Sequence, residues 1–229
     1  MKKVLISQSN YIPWKGYFDA ISLVDEFIIY DEMQYTKRDW RNRNKIKTAQ
    51  GLKWLTIPVE VKGKYLQKIN ETKVSDKNWN VKHWNLLKEN YSKTLFFKEN
   101  KDFFEELYLN LNHKYLTEIN YKFISAICHY FNITTTIKFS SDYELKGNAT
   151  EKLMYLCKDL NAEIYYSGPA AKNYLDESIF NTNNIKVEYL DYSNYKEYIQ
   201  LHAPFRHDVT ILDLIFNVGK NASQFLKYI

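Results

Sequence analysis

The opening of the chain constrains its fold more than any other part. KVLISQ (3–8) is a short apolar run and SNYIPW a turn. GYFDAISLVD (16–25) places Phe18, Ile21 and Val24 at helical spacing, and EFIIYDE (26–32) is a second apolar run. Strand, loop, helix and strand within about thirty residues make a βαβ unit with two parallel strands. Parallel strands need cover on both faces, so the rest of the chain must supply helices for two sides.

Later runs fit that demand. TTTIKFSSD (134–142), AEIYYSG (162–168) and IKVEYLDY (185–192) read as strands. Asn148-Ala-Thr-Glu151 reads as a capping box opening a helix to Leu160. PAAKNYLDESIF reads as one short helix, and DVTILDLIFNVG as an amphipathic helix closed by Gly219. KWLTIPVEV (53–61) alternates like a half-exposed strand, and YLQKINETKVS reads as a further strand with turns. A helix from about 78 to 93 follows Asp76. A long helical region from 100 to 131 carries Phe103, Leu107, Leu111 and Tyr115 four apart. The expected architecture is one α/β domain over 1–229. It has a Rossmann-like, mostly parallel sheet of order 3-2-1-4-5 with helices on both faces, a small β insert at about 34–75 and a helical block at about 78–132.

At 229 residues, 45% of them apolar, the chain can bury a core without disulfides or metals. Cys128 and Cys157 have neither CxxC spacing nor a His cluster, so no metal site is expected. The apolar run in MKKVLIS ends at Gln8, too short for a signal peptide or a membrane span, and a cytoplasmic protein is the expectation. A net charge of +5 suits an anionic partner.

Four stretches could carry chemistry. Ligands of open α/β sheets bind at the carboxyl ends of strands, and helix starts favour anions. Gln8, Asn10, Tyr11 and Trp14 lie at the first such end, where they could hydrogen-bond or stack. Asp31 and Gln34 lie at the next end and open a cationic run: Lys37, Arg38, Arg41, Arg43, Lys45 and Lys47, interrupted by Tyr35, Trp40, Asn42 and Asn44. Arg forks suit phosphate and the aromatic rings suit a base. Ser167, Gly168 and Lys172 form a strand-to-helix turn where backbone could approach a ligand. The segment 198–208 holds two of the five histidines, His202 and His207. Thr210 and Asp213 are spaced as a capping pair, so Asp213 reads as structural.

Six blocks taken together, QSNYIPWKGYFD, IIYDEMQYTKRDWRNRNKIKT, WLTIPV, the helix with Thr150-Glu151, IYYSGPAAKNYLD and YIQLHAPFRHDVTILDLIFNVG, resemble the WbqC-like family in order over nearly the whole chain. Ser9 stands where that family would carry Pro. The opening also has a fold-level likeness to adenylate-forming and nucleotidyl-transfer enzymes, with Pro13-Trp14-Lys15-Gly16 in place of their HxGH element.

The resemblance implies a role in O-antigen or other surface-polysaccharide biosynthesis and a glycine-transferase activity. The expected reaction is transfer of a glycyl or other aminoacyl group to a nucleotide-linked amino sugar. Arg38, Arg41 and Arg43 would hold the diphosphate, and Trp40 or Tyr35 would stack on the base. Asp19, Asp31 or His202 would manage the ammonium proton. Backbone amides at Gly168, or Gln8 and Asn10, would meet the oxyanion. No cofactor is singled out. A carrier-protein thioester, an aminoacyl-tRNA and an ATP-activated amino acid all stand as acyl donors, with an acyl carrier protein or the tRNA as partner. Two other readings are a non-enzymatic module binding RNA or a carrier protein, and an ATP-dependent nucleotidyl or adenylate-forming enzyme using Asp31 and Glu32 for magnesium.

Overall fold

A computed structural model describes residues 1–229. In chain order its elements are β1 (Lys3–Ser7), α1 (Lys15–Ser22), β2 (Glu26–Ile29), β3 (Arg43–Thr48), β4 (Gly51–Thr56), α2 (Trp79–Tyr91), α3 (Phe97–Leu109), α4 (Leu116–Tyr130), β5 (Thr136–Phe139), α5 (Ala149–Asp159), β6 (Ile164–Ser167), α6 (Glu177–Thr182), β7 (Lys186–Tyr189) and α7 (Ile211–Val218).

β1 sits at the centre of a five-stranded sheet of order β5-β2-β1-β6-β7, and every pairing in it is parallel. Taken by sequence rank this is the expected 3-2-1-4-5 order. The period of two along β1 divides the core. Leu5 joins Phe27, Ile29, α1, α4, α7 and the insert in an apolar cluster of 37 residues, whereas Val4 and Ile6 join Ile28, α5 and α6 in one of 13. The larger cluster includes Ile46 and Leu55 of the β3–β4 hairpin and Trp84, Phe104 and Phe123 of the helical block. The insert is therefore fastened to the sheet through shared apolar burial. No helix is long and apolar enough to cross a membrane.

Asn148 caps α5 as the pattern predicts, accepting from Glu151 N at 3.0 Å while Glu151 Oε2 accepts from Asn148 N at 2.7 Å. Gly219 ends α7 at φ +65°, a conformation that disfavours side chains, and a Cβ there would stand 2.4 Å from the Phe96 ring.

Three local readings differ from the structure. The stretch 100–131 is two helices, because residues 114–116 hydrogen-bond back to 72–74: Val74 N donates to Lys114 O at 3.0 Å, and Leu116 N donates to Thr72 O at 2.9 Å. The buried face of α3 is Phe97, Asn100, Phe104 and Tyr108, while Phe103 is 38% exposed. YLQKINETKVS forms a single 3-10 turn, Ile69–Glu71, plus isolated bridges, and PAAKNYLDESIF splits into a 3-10 turn and α6, the latter capped by Asp176.

Candidate functional site

The carboxyl end of β1 opens into a cleft of about 310 Å³ lined by Asn10, Pro13, Trp14, Trp40, Asn44, His207 and Asp208. Its walls come from three remote segments joined by backbone hydrogen bonds. Tyr11 N donates to Trp40 O at 3.0 Å, Thr210 N to Lys45 O at 2.9 Å, and Ile211 N to Pro13 O at 2.9 Å. Asn44 Nδ2 also bridges the carbonyls of Tyr11 and Ile12 at 3.1 and 2.8 Å. That grip supports Ile12 at φ +35°, a conformation a β-branched residue rarely adopts and a form of strain that clusters at functional sites. Trp14 lies over Gly16, where a Cβ would come within 2.3 Å of its ring, and Tyr192 and Tyr195 flank it at centroid distances of 5.3 Å. The buried Oδ1 of Asn10 has no hydrogen-bond partner.

The antiparallel register sets the cationic side. Lys45 faces Trp54, and Arg43, two residues away on the same face, reaches diagonally over that ring with its guanidinium carbon 3.9 Å from the centroid. Trp40 meets Trp54 at 5.3 Å, and Lys45 Nζ lies 5.5 and 5.1 Å from the two ring centroids. Two indoles with two cations on them thus form one rim of the cleft.

The opposite rim belongs to the irregular segment 191–208. Lys45 Nζ donates to Asp208 Oδ2 at 2.6 Å, and Arg206 donates to both oxygens of the same carboxylate at 2.8 and 3.0 Å. Burial opposes the Asp208 charge, but the donors from Arg206 and Lys45 outweigh it and hold the carboxyl at about 2. His207 packs its ring on Phe205 at 4.6 Å. Burial and the nearby Lys15 ammonium lower its pKa, against the pull of Glu197 and Asp208, which favours a neutral imidazole. Lys15 itself is 4% exposed. It donates to Lys196 O at 2.7 Å beneath the rings of Tyr195 and Tyr198, and burial brings its pKa down to about 8.

Asn10, Trp14 and Trp40 therefore share one cleft, and Arg43 stands next to it, over the Trp54 ring that meets Trp40 and hydrogen-bonded to the Arg38 carbonyl. Other expected site residues hold the scaffold. Asp31, 2% exposed, accepts from Ser9 N at 2.8 Å and Ser9 Oγ at 2.6 Å. Asp19, fully buried, accepts from the amides of Lys227 and Tyr228. Burial raises both carboxyls, and these donors oppose the rise. Neither is free to take a substrate proton. Arg41 is drawn inward, with Nη1 3.4 Å from Ser9 O and Nε 3.5 Å from Asp39, so it is not an exposed diphosphate clamp. Asn42 donates to Ile57 O, Tyr35 is 6% exposed, and Gln8 presents its carbonyl to the Tyr17 hydroxyl. Gln34, Tyr35 and Lys37 line a separate hollow with Lys64 and Tyr65, and Arg38 takes φ +61° in the turn beside it. Ser167, Gly168 and Lys172 end the neighbouring strand but do not line the cleft; Lys172 Nζ lies over Tyr189 at 4.9 Å. His202 also stands outside it, whereas His207 lines it. No group of three or more His, Cys, Asp or Glu is placed to hold a metal. Glu32 is engaged by Ser140. Asn44, Lys45, His207 and Asp208 fall in stretches the sequence marks, but none of them is given a role there, and Trp54 is missed altogether. For Trp54 a signal existed, since hairpin alternation puts it opposite the cationic run.

Tyr11 is likewise internal. Its hydroxyl meets His83 Nδ1 at 2.8 Å and Tyr108 at 2.9 Å, and His83 Nε2 meets Thr56 O at 3.1 Å. Burial lowers the His83 pKa to about 4, against the Thr56 carbonyl and Asp76. An unfolded histidine takes its proton near pH 6.5, so between those values the unfolded chain binds more protons. The stability is present above about pH 6.5 and is lost as pH falls toward about 4, with roughly 2 kcal/mol gone by about pH 5. Urea unfolding at neutral pH and at about pH 5 will register this loss, and His83→Gln will flatten it. An identical slope in the variant would place the proton elsewhere.

These features define an α/β protein with a ligand-sized cleft at the carboxyl edge of its central strand. The chain belongs to the WbqC-like protein family, whose model matches residues 8–225. It is 51% identical over 228 residues to the uncharacterized protein Rv1507c of Mycobacterium tuberculosis (strain ATCC 25618 / H37Rv), an alignment covering 100% of this chain and 99% of the relative. No solved structure matches the chain significantly.

Proposed function

We propose that the chain is an N-acyl transferase that places a glycyl or other aminoacyl group on a nucleotide-linked amino sugar in O-antigen or other surface-polysaccharide biosynthesis. The observation that carries this reading is the Trp40–Trp54 pair with Arg43 and Lys45 against it, at the rim of a 310 Å³ cleft. Indole faces accept a base, the two cations suit a diphosphate, and the cleft behind them is large enough for a sugar.

In the reaction the amino nitrogen bonds to the acyl carbon, the bond from that carbon to the donor's leaving group breaks, and the nitrogen gives up a proton. His207 is the acceptor for that proton, because it lines the cleft at an exposed position, where slight desolvation and the Lys15 cation disfavour its protonated form. Asn10 lines the same cleft, and its side-chain amide, whose oxygen has no partner within the protein, orients the amino group.

The direct test is mass spectrometry of UDP- and dTDP-linked amino sugars after incubation with glycyl thioester, glycyl-tRNA, or glycine and ATP. A glycyl adduct with any donor supports the reading; no adduct with any of them rejects it. Calorimetry offers a second measure. Trp40→Ala will weaken UDP or dTDP binding by about 10- to 100-fold, the cost of one lost stacking partner. Equal affinity would remove the base from this rim.

A further inference from the structure

Asp208 gives the cleft a feature that simple substrate recognition does not require. Its carboxylate takes three N–H donors, from Lys45 Nζ at 2.6 Å and from Arg206 Nε and Nη2 at 2.8 and 3.0 Å. The two cations come from elements far apart in the chain, and Asp208 itself lines the cleft. Arg43 stands beside them, since it and Lys45 contact the same Trp54 ring. Two cations therefore meet at one anionic group, with a third, Arg43, on the neighbouring Trp54 ring, an arrangement that suits phosphate better than a lone surface ion pair.

We infer that Lys45 and Arg206, with Arg43 beside them, form a phosphate subsite in which the Asp208 carboxylate is an internal stand-in that an incoming diphosphate displaces. The inference rests on the reading of the cleft as a diphosphate site and adds the residue that sets its selectivity. A carboxylate has two oxygens and one charge. A diphosphate presents more oxygens and more charge to the same donors, so it wins the exchange. A monoanionic carboxylate ligand gains nothing over Asp208 and is rejected.

The movement required is small. Gln200 pins the main chain of Arg206 through both its N–H and its carbonyl, at 2.8 and 2.9 Å, and is itself bonded to Asp213 at 2.8 Å. The backbone at the rim is thus held, and the exchange needs only rotation of the Asp208 side chain, which is 37% exposed.

Calorimetry with inorganic pyrophosphate, acetate and UDP tests this on the full chain. Asp208→Asn should bind pyrophosphate about tenfold more tightly than the parent, because the competing charge is gone. Lys45→Ala should bind it at least about tenfold more weakly, and acetate should bind neither the parent nor Lys45→Ala. Equal or weaker pyrophosphate binding by a folded Asp208→Asn variant overturns the inference. Should that variant fail to fold, crystals of the parent soaked in pyrophosphate decide. The anion between Lys45 and Arg206 with Asp208 turned away supports it; a retained Lys45–Asp208 contact, or no anion there, overturns it. The UDP arm separates the two readings. UDP binding that ignores Asp208→Asn keeps the nucleotide reading and removes the stand-in. Pyrophosphate binding that responds to Asp208→Asn, with no UDP binding, keeps the subsite and removes the nucleotide.

Discussion

Replacing Asp213 by alanine will lower the free energy of unfolding by about 3–5 kcal/mol and release segment 191–208. Asp213 is fully buried on α7 and takes hydrogen bonds from the Tyr91 hydroxyl at 2.8 Å, the Tyr198 hydroxyl at 2.7 Å and Gln200 Nε2 at 2.8 Å. Burial raises its pKa, while these three donors and the Lys47 ammonium favour the charged form. Alanine would leave two buried hydroxyls and an amide without their acceptor, each costing about 1–3 kcal/mol before relaxation. A domain of this kind has only about 5–15 kcal/mol to lose. Asp213→Asn should also destabilise, because its amide would turn a donor toward donors. Urea unfolding followed by tryptophan fluorescence gives the magnitude, and limited proteolysis near Ile199, which is 90% exposed, gives the local release. A loss below about 1 kcal/mol would mean that the carboxylate is not the anchor of that segment.

The second large effect concerns the proposed transfer reaction. His207→Ala is expected to lower kcat by about 10²–10⁴ with little change in KM, the range for loss of a general base. The pH profile carries the sharper test. Burial and the Lys15 cation depress the His207 pKa, so the acid limb of kcat should lie below the ordinary imidazole range. Lys15→Met removes a cation and should move that limb upward. His202→Ala should leave both rate and profile near the parent's. If His202→Ala abolishes turnover and His207→Ala does not, the assignment is reversed.

How much of this was legible in the sequence depended on distance along the chain. The βαβ opening, the Asn148–Glu151 cap and the Gly219 stop are local signals, and the structure contains all three. The order 3-2-1-4-5 is that of a Rossmann-like parallel sheet, and the structure has it. Residues 110–116 were misread as helix because their break depends on hydrogen bonds to residues 72–74, which no local window contains. At the candidate site, Asn10 and Trp14 could be picked out because they crowd a strand end, and Trp40 because it interrupts a cationic run. Trp54 required the hairpin register, and His207 and Asp208 required knowing that an irregular segment returns to the β1–α1 loop. Asp19, Asp31 and Arg41 carried the right chemistry but were used inside the scaffold. A sequence cannot distinguish a carboxylate facing solvent from one capping a neighbouring backbone.

The central place of β1 also bears on how the protein is made. One side of β1 can pair with β2 almost at once, but its other partner begins at Ile164, opposite Lys3. On the ribosome that flank stays uncovered for roughly ten seconds or more while the intervening chain is translated. A Val-Leu-Ile edge open for so long invites pairing with other nascent chains, and Lys2 and Lys3 at its start supply the charge that discourages it.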